Sequence, residues 1–144
     1  MKKLVLNSAS EQDTERFGAE LAAKLKPGSV VAMYGGLGMG KTAFTRGMAM
    51  GLGLECRVNS PTFTIVNEYL GKTPLFHFDM YRLGSADELF EIGWEDYLER
   101  GGICSVEWSE NVEEAFPSDA VRVRFSRVSD TERCIEIIMP EAEE

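Results

Sequence analysis

Residues 35–42 of this 144-residue chain read GGLGMGKT, and this stretch decides the fold. It matches the phosphate-loop pattern G-x-x-x-x-G-K-[ST]. The glycines allow successive backbone N–H groups to face one point at the start of a helix, where the helix dipole also favours an anion. In such a loop the lysine, here Lys41, reaches the β- and γ-phosphates, and the hydroxyl of Thr42 is a ligand of Mg²⁺. The stretch therefore predicts a site for ATP and Mg²⁺.

The residues that this pattern assigns to nucleotide binding lie in the loop and in the first turn of the helix that follows. They are Gly35, Leu37, Gly38, Met39, Gly40, Lys41, Thr42 and Ala43. The apolar run at residues 29–34 predicts a buried strand entering the loop, and residues 41–50 predict a helix that Gly51 and Gly53 end. A glycine-rich turn without a ligand is the alternative, and this strand–loop–helix order argues against it.

The remaining patterns predict how the chain is built around the loop. Ser10 is expected to cap a first helix, and SADE at residues 85–88 is a capping box for a short helix. Further strands are predicted near residues 3–6, 62–70, 74–78, 102–106, 121–126 and 134–139. We therefore expect an α/β fold, a single-domain P-loop NTPase with a mainly parallel central sheet flanked by helices, plus antiparallel strands. This domain is expected to span residues 1–140, with an acidic tail at 141–144.

Composition and charge restrict the classes of function. The net charge of −9 argues against nucleic acid as a direct, independent ligand, since an acidic chain releases few phosphate counterions. No stretch approaches the roughly 18 apolar residues of a membrane span. Cys56, Cys104 and Cys134 are odd in number and far apart, which predicts reduced thiols and a cytoplasmic location. The single histidine, His77, argues against a metal site built from several histidines.

One basic stretch stands out in this acidic chain. Arg122 and Arg124 alternate with the apolar residues Val121, Val123 and Phe125. This alternation is typical of a strand whose arginines lie on its solvent-facing side. A docking patch for an acidic partner is the other interpretation, and the sequence leaves both open.

Two carboxylates follow apolar strands and are candidates for metal binding and catalysis. Asp79 follows the strand predicted at residues 74–78, and Glu107 follows the one at 102–106. In open α/β sheets ligands bind at the carboxyl ends of the strands, and the Mg²⁺ of a nucleotide needs a carboxylate there. One acid would touch the metal and the other would orient water or act through the metal's water shell. The alternative for either is a helix-capping or surface acid.

The loop before the first acidic strand carries a further candidate. Residues 60–63 read SPTF, and the proline favours an extended conformation for the serine before it. Thr62 could reach the γ-phosphate or Mg²⁺, as switch loops do in other P-loop proteins. A plain helix-to-strand connection explains the segment equally well. Trp108, next to Glu107, is either a core residue or a cover that excludes water from the site.

These pieces together resemble the TsaE family, also called YjeE, the ATPase component of the bacterial system that forms threonylcarbamoyladenosine in tRNA. The resemblance rests on four blocks in order: the phosphate loop, SPTFT at residues 60–64, HFDMYRL at 77–83 and VEW at 106–108. An N-terminal helix around residues 11–14 adds to it. The resemblance covers about residues 8–117, and the last three blocks together are far more specific than the loop alone.

The resemblance implies roles for individual residues. Thr42 and Glu107 would hold Mg²⁺, Lys41 and the loop amides would hold the phosphates, and Asp79 would serve hydrolysis. Glu11 would lie near the nucleoside. The family works with TsaB and with TsaD, which transfers the threonylcarbamoyl group, so tRNA would be met only indirectly through the complex. ATP hydrolysis by this subunit would reset that complex for turnover.

The loop departs from the family pattern at two positions. Gly36 stands where the family usually has an aspartate, and Met39 replaces a usual small residue. Phosphate binding by backbone amides does not need either side chain. This chain therefore lacks the carboxylate at that position and any role it has in hydration or closure of the loop.

Three other classes of function compete with an ATPase. A small-molecule kinase shares the loop but needs an acceptor pocket and an arginine-bearing lid, and no segment is long enough for that lid. A GTPase normally carries a guanine-reading N-K-x-D motif, which the sequence lacks. A purely structural role would make the loop and both acids a coincidence.

Overall fold

The structure is a computed structural model, and it describes residues 2–36, 39–54, 58, 66–80 and 85–140. The strands are β1 (Lys2–Ser8), β2 (Val30–Tyr34), β3 (Val66–Tyr69), β4 (Leu75–Asp79), β5 (Ile103–Glu107), β6 (Val121–Arg127) and β7 (Arg133–Met139). The α-helices are α1 (Glu11–Lys24), α2 (Lys41–Gly51), α3 (Ala86–Glu91) and α4 (Trp94–Glu99). Two 3₁₀ turns cover Ser109–Asn111 and Glu113–Ala115. Within the described ranges, no helix has the length and apolar character needed to cross a membrane.

All seven strands belong to one sheet in the order β1-β7-β6-β2-β5-β4-β3. The four central strands β6, β2, β5 and β4 run parallel. On one side β7 is antiparallel to β6 and β1 to β7, with Lys2 opposite Met139, and on the other side β3 is antiparallel to β4. The α/β fold with a mainly parallel centre and added antiparallel strands is therefore confirmed. Strand β2 lies in the middle, so the loop that follows it emerges at the centre of one sheet edge.

The two faces of the sheet are covered by different helices. Alternate residues of each strand point to opposite faces, and the core divides accordingly into two clusters. One cluster joins α1 and α2 to the face that carries Met33, Leu75 and Ile103. The other joins α3 and α4 to the face that carries Phe76 and Cys104. The face towards α2 is the one on which the carboxyl ends of β4 and β5 present their acids.

Helices α1 and α2 pack with their backbones almost in contact. A Cβ added at Gly47 would lie 1.9 Å from the carbonyl oxygen of Glu15, so only glycine fits there. Arg46 forms an ion pair with the Glu15 side chain at 3.5 Å. This close approach fixes α2, and with it the phosphate loop, against α1.

Several local predictions can be compared with the structure. The edge strand predicted at residues 3–6 is confirmed and extends over β1. Ser10 caps α1 as predicted, accepting a hydrogen bond from the Asp13 N–H at 3.1 Å. The prediction of a capping box at residues 85–88 is wrong in part. Ser85 is the N-cap residue of α3, but its side chain accepts no capping hydrogen bond from the described residues.

Other predictions were incomplete or fall on parts that are not described. Helix α4 was not predicted; it begins after Gly93, whose φ of 95° turns the chain sharply. Cys104 and Cys134 are free thiols, and burial raises the pKa of Cys104 to about 12. Cys56, the first residues of the strand predicted at 62–70 and the acidic tail at 141–144 lie outside the described residues.

The contact between α1 and α2 makes Gly47→Ala destabilising. Alanine raises helix propensity by about 1 kcal/mol, but overpacking a closed contact costs about 1–3 kcal/mol and more where the opposing group is backbone. We expect a net loss of about 2 kcal/mol in the free energy of unfolding, measured by urea denaturation. Gly36→Ala is the control, since its Cβ would meet no described atom within 4 Å. Equal stability of the two variants would contradict the packing described here.

Candidate functional site

The first turn of α2 is arranged to receive an anion. Its N-cap residue is Gly40, which has a φ of 96° and provides no side-chain cap, and the first turn carries no acidic residue. The N–H groups of the first residues of a helix have no acceptor within the helix. Lys41, Thr42 and Ala43 form this first turn and lie at the positive end of the helix dipole, a position where phosphate binds well. A residue with a Cβ would be strained at Gly40, because L-residues avoid positive φ.

The start of α1 lies against this loop. Thr14 is buried, and its Cγ2 would be 3.6 Å from a Cβ placed on Gly40. The Thr14 hydroxyl shares a 2.6 Å hydrogen bond with the Ser8 hydroxyl at the end of β1. Glu11, predicted to lie near the nucleoside, is exposed one turn before Thr14. The fold thus brings the first turn of α1 to the edge of the sheet that carries the loop.

Lys41 is buried although it carries a charge. Only 5% of its surface is exposed, and Nζ donates a 2.7 Å hydrogen bond to the carbonyl oxygen of Gly35. Nζ also lies 4.3 Å from the centroid of the Trp108 ring, a cation–π contact. Burial lowers the pKa of Lys41, while the negative charges of Glu107, Glu110 and Asp79 act in the opposite direction. Burial is the larger effect, and the three acids offset part of it.

The two acids predicted at strand ends lie side by side. Asp79 and Glu107 are register partners on the parallel strands β4 and β5. Each lies four residues after a core residue of the α2 face, Leu75 or Ile103, so strand alternation directs both side chains towards α2. Glu107 is 6% exposed, and Asp79 is half-buried. The structure therefore brings the phosphate loop and both acids to one sheet edge.

Glu107 is held by a residue to which the sequence analysis gave no role. His77 is completely buried on β4, and its Nε2 lies 2.5 Å from Oε2 of Glu107. His77 precedes Asp79 by two residues and so shares its face of the strand. That spacing was the only signal in the sequence. Glu110, a second acid without a predicted role, acts on Lys41 from the 3₁₀ turn after β5, and strand periodicity gave no indication of it.

A buried polar contact joins α2 to the strand that carries Glu107. The Thr45 hydroxyl donates to the carbonyl oxygen of Lys41 at 3.0 Å and shares a 3.1 Å hydrogen bond with the Ser105 hydroxyl. Thr45 and Ser105 are both fully buried. Because Ser105 precedes Glu107 by two residues on the same face, this contact fixes the distance between the loop helix and the acid.

Trp108 has an unusual backbone directly after Glu107. Its φ of 58° and ψ of 42° make it the one non-glycine residue with positive φ among the described residues. The left-handed conformation costs about 1–2 kcal/mol, and such strain is often found at functional sites. The turn after it is secured by a 2.9 Å hydrogen bond from Asn111 Nδ2 to the Met80 carbonyl oxygen. The ring lies against Lys41 and also packs against the core cluster of the α3 and α4 face, so Trp108 is in part a core residue, and its role as a cover stays a prediction.

The arginines of β6 have partners within the chain. Val121, Val123 and Phe125 are buried and Arg124 is exposed, so the predicted alternating strand is confirmed. Arg122 donates two hydrogen bonds to Oε1 of Glu113, at 3.1 and 3.0 Å. The guanidinium of Arg124 lies 5.1 Å from the centroid of the Tyr34 ring. The docking-patch interpretation stays a prediction.

Tyr34 connects the same cluster to the end of β2. Its hydroxyl donates to the carboxylate of Glu113. Burial of Tyr34 and the nearby charge of Glu113 raise the pKa of the phenol, so it stays protonated and can serve as the donor. The contact ties the 3₁₀ turn at Glu113–Ala115 to the residue that immediately precedes the phosphate loop.

Comparison with known proteins identifies the family. The sequence model described as "Threonylcarbamoyl adenosine biosynthesis protein TsaE" matches residues 8–135. The chain belongs to the TsaE family. It is 42% identical over 134 residues to the tRNA threonylcarbamoyladenosine biosynthesis protein TsaE of Bacillus subtilis, covering 92% of this chain and 84% of the relative. The corresponding protein of Treponema pallidum is 39% identical over 130 residues, covering 90% and 96%.

A solved structure supports the same relationship. The crystal structure of YdiB from Bacillus subtilis superposes with a TM-score of 0.82 at 36% sequence identity. The match covers 96% of this chain and 86% of that one. The predicted resemblance is therefore confirmed, and the chain is a member of a family involved in tRNA threonylcarbamoyladenosine biosynthesis.

The structure places most of the predicted site residues of this TsaE protein at one sheet edge. Those around the loop, α1 and the two strand ends are Glu11, Gly35, Met39, Gly40, Lys41, Thr42, Ala43, Asp79 and Glu107. Met39 packs partly against the core below α2. Gly36 is exposed, and a Cβ added there would meet none of the described atoms within 4 Å, so a longer residue has room. Leu37, Gly38 and Thr62 lie outside the described residues.

Proposed function

We propose that this TsaE protein is a cytoplasmic, Mg²⁺-dependent ATPase subunit that supports threonylcarbamoyladenosine formation in tRNA together with TsaB and TsaD. The observation that carries the proposal is the meeting of three features at one sheet edge. The uncapped start of α2 offers amide donors, Lys41 is a buried cation below it, and Asp79 and Glu107 are adjacent carboxylates. Amides and a lysine suit phosphates, and carboxylates suit the accompanying cation.

Phosphate binding is assigned to the loop and the first turn of α2. The amides after Gly40 would take phosphate oxygens, and the Lys41 ammonium would neutralise the β- and γ-phosphates. A charge-assisted hydrogen bond from a buried ammonium is roughly twice as strong as a neutral one. The hydrogen bond from Lys41 to Gly35 and its contact with Trp108 keep this ammonium close to the loop.

Mg²⁺ binding is assigned to Glu107 and Thr42. Carboxylate and hydroxyl oxygens are the hard ligands that Mg²⁺ prefers, and it commonly uses one or two carboxylates together with substrate phosphates. Among the described residues there is no cluster of three or more His, Cys, Asp or Glu side chains able to hold a metal by themselves. This supports a cation that arrives with the nucleotide, where it would neutralise phosphate charge.

Hydrolysis is assigned to Asp79, with Thr62 as a second candidate. Asp79 is more exposed than its neighbour Glu107, so it is better placed to meet solvent. A carboxylate in that position can orient a water molecule towards the γ-phosphate. Thr62 would act from the segment between α2 and β3, as switch-loop residues do.

Dependence on partner proteins is proposed because residues 35–42 contain no arginine that could assist hydrolysis, and Arg57 and Arg82 lie outside the described residues. Developing charge on the γ-phosphate is often stabilised by an arginine that raises the rate about 10³–10⁵-fold. Arg46, on the loop helix, is directed to Glu15 on α1. With a net charge of −9, the chain would also approach tRNA poorly unless another protein held both. TsaB and TsaD are therefore the proposed source of activation, and tRNA contact is proposed to be indirect.

Removal of the loop lysine should weaken ATP binding. Lys41→Ala deletes a buried charge-assisted contact of about 2–4 kcal/mol, so the Kd for ATP should rise about 30- to 1000-fold. Isothermal titration calorimetry measures this change. Lys26→Ala, at an exposed lysine, is the control and should bind as the unaltered protein does. Unchanged affinity in a folded Lys41→Ala protein would refute the phosphate-loop assignment.

Substitutions of the two acids should show that Glu107 is a metal ligand and that Asp79 is a catalytic group. Glu107→Gln and Thr42→Ala should each weaken ATP binding in the presence of Mg²⁺ more than in EDTA, because both remove a proposed ligand. Asp79→Asn should bind normally and hydrolyse more slowly. Calorimetry with and without Mg²⁺, combined with phosphate release, distinguishes them. Loss of Mg²⁺ dependence in Asp79→Asn but not in Glu107→Gln would mean that the two roles are reversed.

ATP hydrolysis should depend on the partner proteins. We expect feeble phosphate release from the chain alone or with tRNA, and marked stimulation when TsaB and TsaD are added together. Stimulation by tRNA alone would contradict the partner proposal and favour direct nucleic-acid binding. In cells, depletion of this protein should lower threonylcarbamoyladenosine in tRNA, and the Lys41→Ala variant should fail to restore it.

A further inference from the structure

The buried histidine beside Glu107 has one bonded and one unbonded nitrogen. His77 Nε2 lies 2.5 Å from Oε2 of Glu107. Its Nδ1 is buried and has no hydrogen-bond partner among the described residues. His77 is fully inaccessible, between β3 and β5 on the sheet, while Glu107 retains a small exposed fraction of 6%. The contact is therefore buried, with slight solvent access at Glu107 and none at His77.

The difference between the bonded Nε2 and the unbonded Nδ1 favours one tautomer of the imidazole. A proton on Nδ1 would be a buried donor without an acceptor among the described residues, and buried donors without a partner are rare in proteins. It would also leave the Nε2 lone pair facing a carboxylate oxygen. With the proton on Nε2, the ring donates to Glu107 and only the Nδ1 lone pair is unbonded. The geometry therefore favours the Nε2–H form.

The hydrogen bond to His77 also affects whether the Glu107 carboxylate can turn towards Lys41. Lys41 is close enough for its charge and that of Glu107 to influence each other. A glutamate with free torsions could turn to the lysine, and each would then be unavailable to a ligand of opposite charge. Instead Lys41 Nζ is bonded to Gly35, and one Glu107 oxygen is bonded to His77. Among the described residues the second oxygen of the carboxylate is given no hydrogen bond, which would allow it to take another ligand.

We propose that His77 is a positioning residue that donates Nε2–H to Glu107 and holds the carboxylate in the orientation that receives the divalent cation. The inference rests on the proposed role of Glu107 as a ligand of Mg²⁺. His77 itself touches neither nucleotide nor metal. Groups of this kind, behind a metal ligand, commonly change metal affinity about 10- to 100-fold when removed.

The tautomer can be read directly because His77 is the only histidine in the chain. Two-dimensional ¹H–¹⁵N spectra of the ¹⁵N-labelled protein, without nucleotide or metal, should show one protonated ring nitrogen, at Nε2, and one unprotonated, at Nδ1. Glu107→Gln should shift the Nε2 resonance most. Detection of the proton on Nδ1 would overturn the proposal. Ring signals that are unchanged in the Glu107→Gln variant would also overturn it.

A pair of amide variants tests the function of the contact. Glutamine places its side-chain nitrogen at about the reach of imidazole Nε2, whereas asparagine places it at about that of Nδ1. We expect His77→Asn to weaken ATP binding with Mg²⁺ about 10- to 100-fold and to leave binding in EDTA unchanged. His77→Gln should bind ATP with Mg²⁺ almost as tightly as the unaltered protein. Phe76→Leu is the matched control: it perturbs the adjacent position of β4 on the opposite face and should lower the melting temperature without changing the ratio of the two affinities.

The results separate this proposal from the one on which it rests. Equal losses in the two amide variants, or equal losses with and without Mg²⁺, would mean that His77 only supports the fold. If the unaltered protein binds ATP equally well with and without Mg²⁺, the metal assignment of Glu107 fails. The positioning role then fails with it, while the spectra still establish whether the hydrogen bond and its tautomer exist.

Discussion

Helix α2 has to begin at the end of the central strand β2, at an N-cap glycine without a capping side chain, and much of the structure maintains that arrangement. An uncapped helix end is unfavourable unless water or a ligand satisfies it. Here it is held from two sides. Gly47 lets α1 approach to backbone contact, and the Thr45–Ser105 hydrogen bond ties α2 to β5. The buried core on the same face then has little freedom to shift.

The site also depends on keeping opposite charges apart at short range. Lys41, Asp79 and Glu107 gather at one edge, where direct pairing would neutralise them. Trp108 and the Gly35 carbonyl engage the lysine, and His77 engages one acid. Lys41 and Glu107 are thus held by different partners. Such an arrangement can provide separate positions for an anion and a cation before either is bound.

Much of the sheet and the position of the loop could be predicted from sequence, because their signals are local. A five-residue apolar run, a glycine-rich turn and a strand-end acid each follow from neighbouring residues. The contacts that tune the site could not be predicted in this way. His77 meets Glu107, 30 residues away, only because β4 and β5 are neighbours. Helix α4 was missed because six residues carry too little periodicity, and Glu110 acts through a short turn without a pattern of its own.

The antiparallel side of the sheet has a consequence for the ends of the chain. Strand β7 runs opposite to β6 and β2, so Met139 and its partner Lys2 lie at the sheet edge away from the phosphate loop. A short linker joining these two positions would close the chain into a circle without crossing the loop's edge. New termini opened elsewhere on the surface would then give a permuted protein, a rearrangement that domains with neighbouring ends tolerate well. An attachment at Lys2 or Met139 would likewise lie away from the phosphate loop.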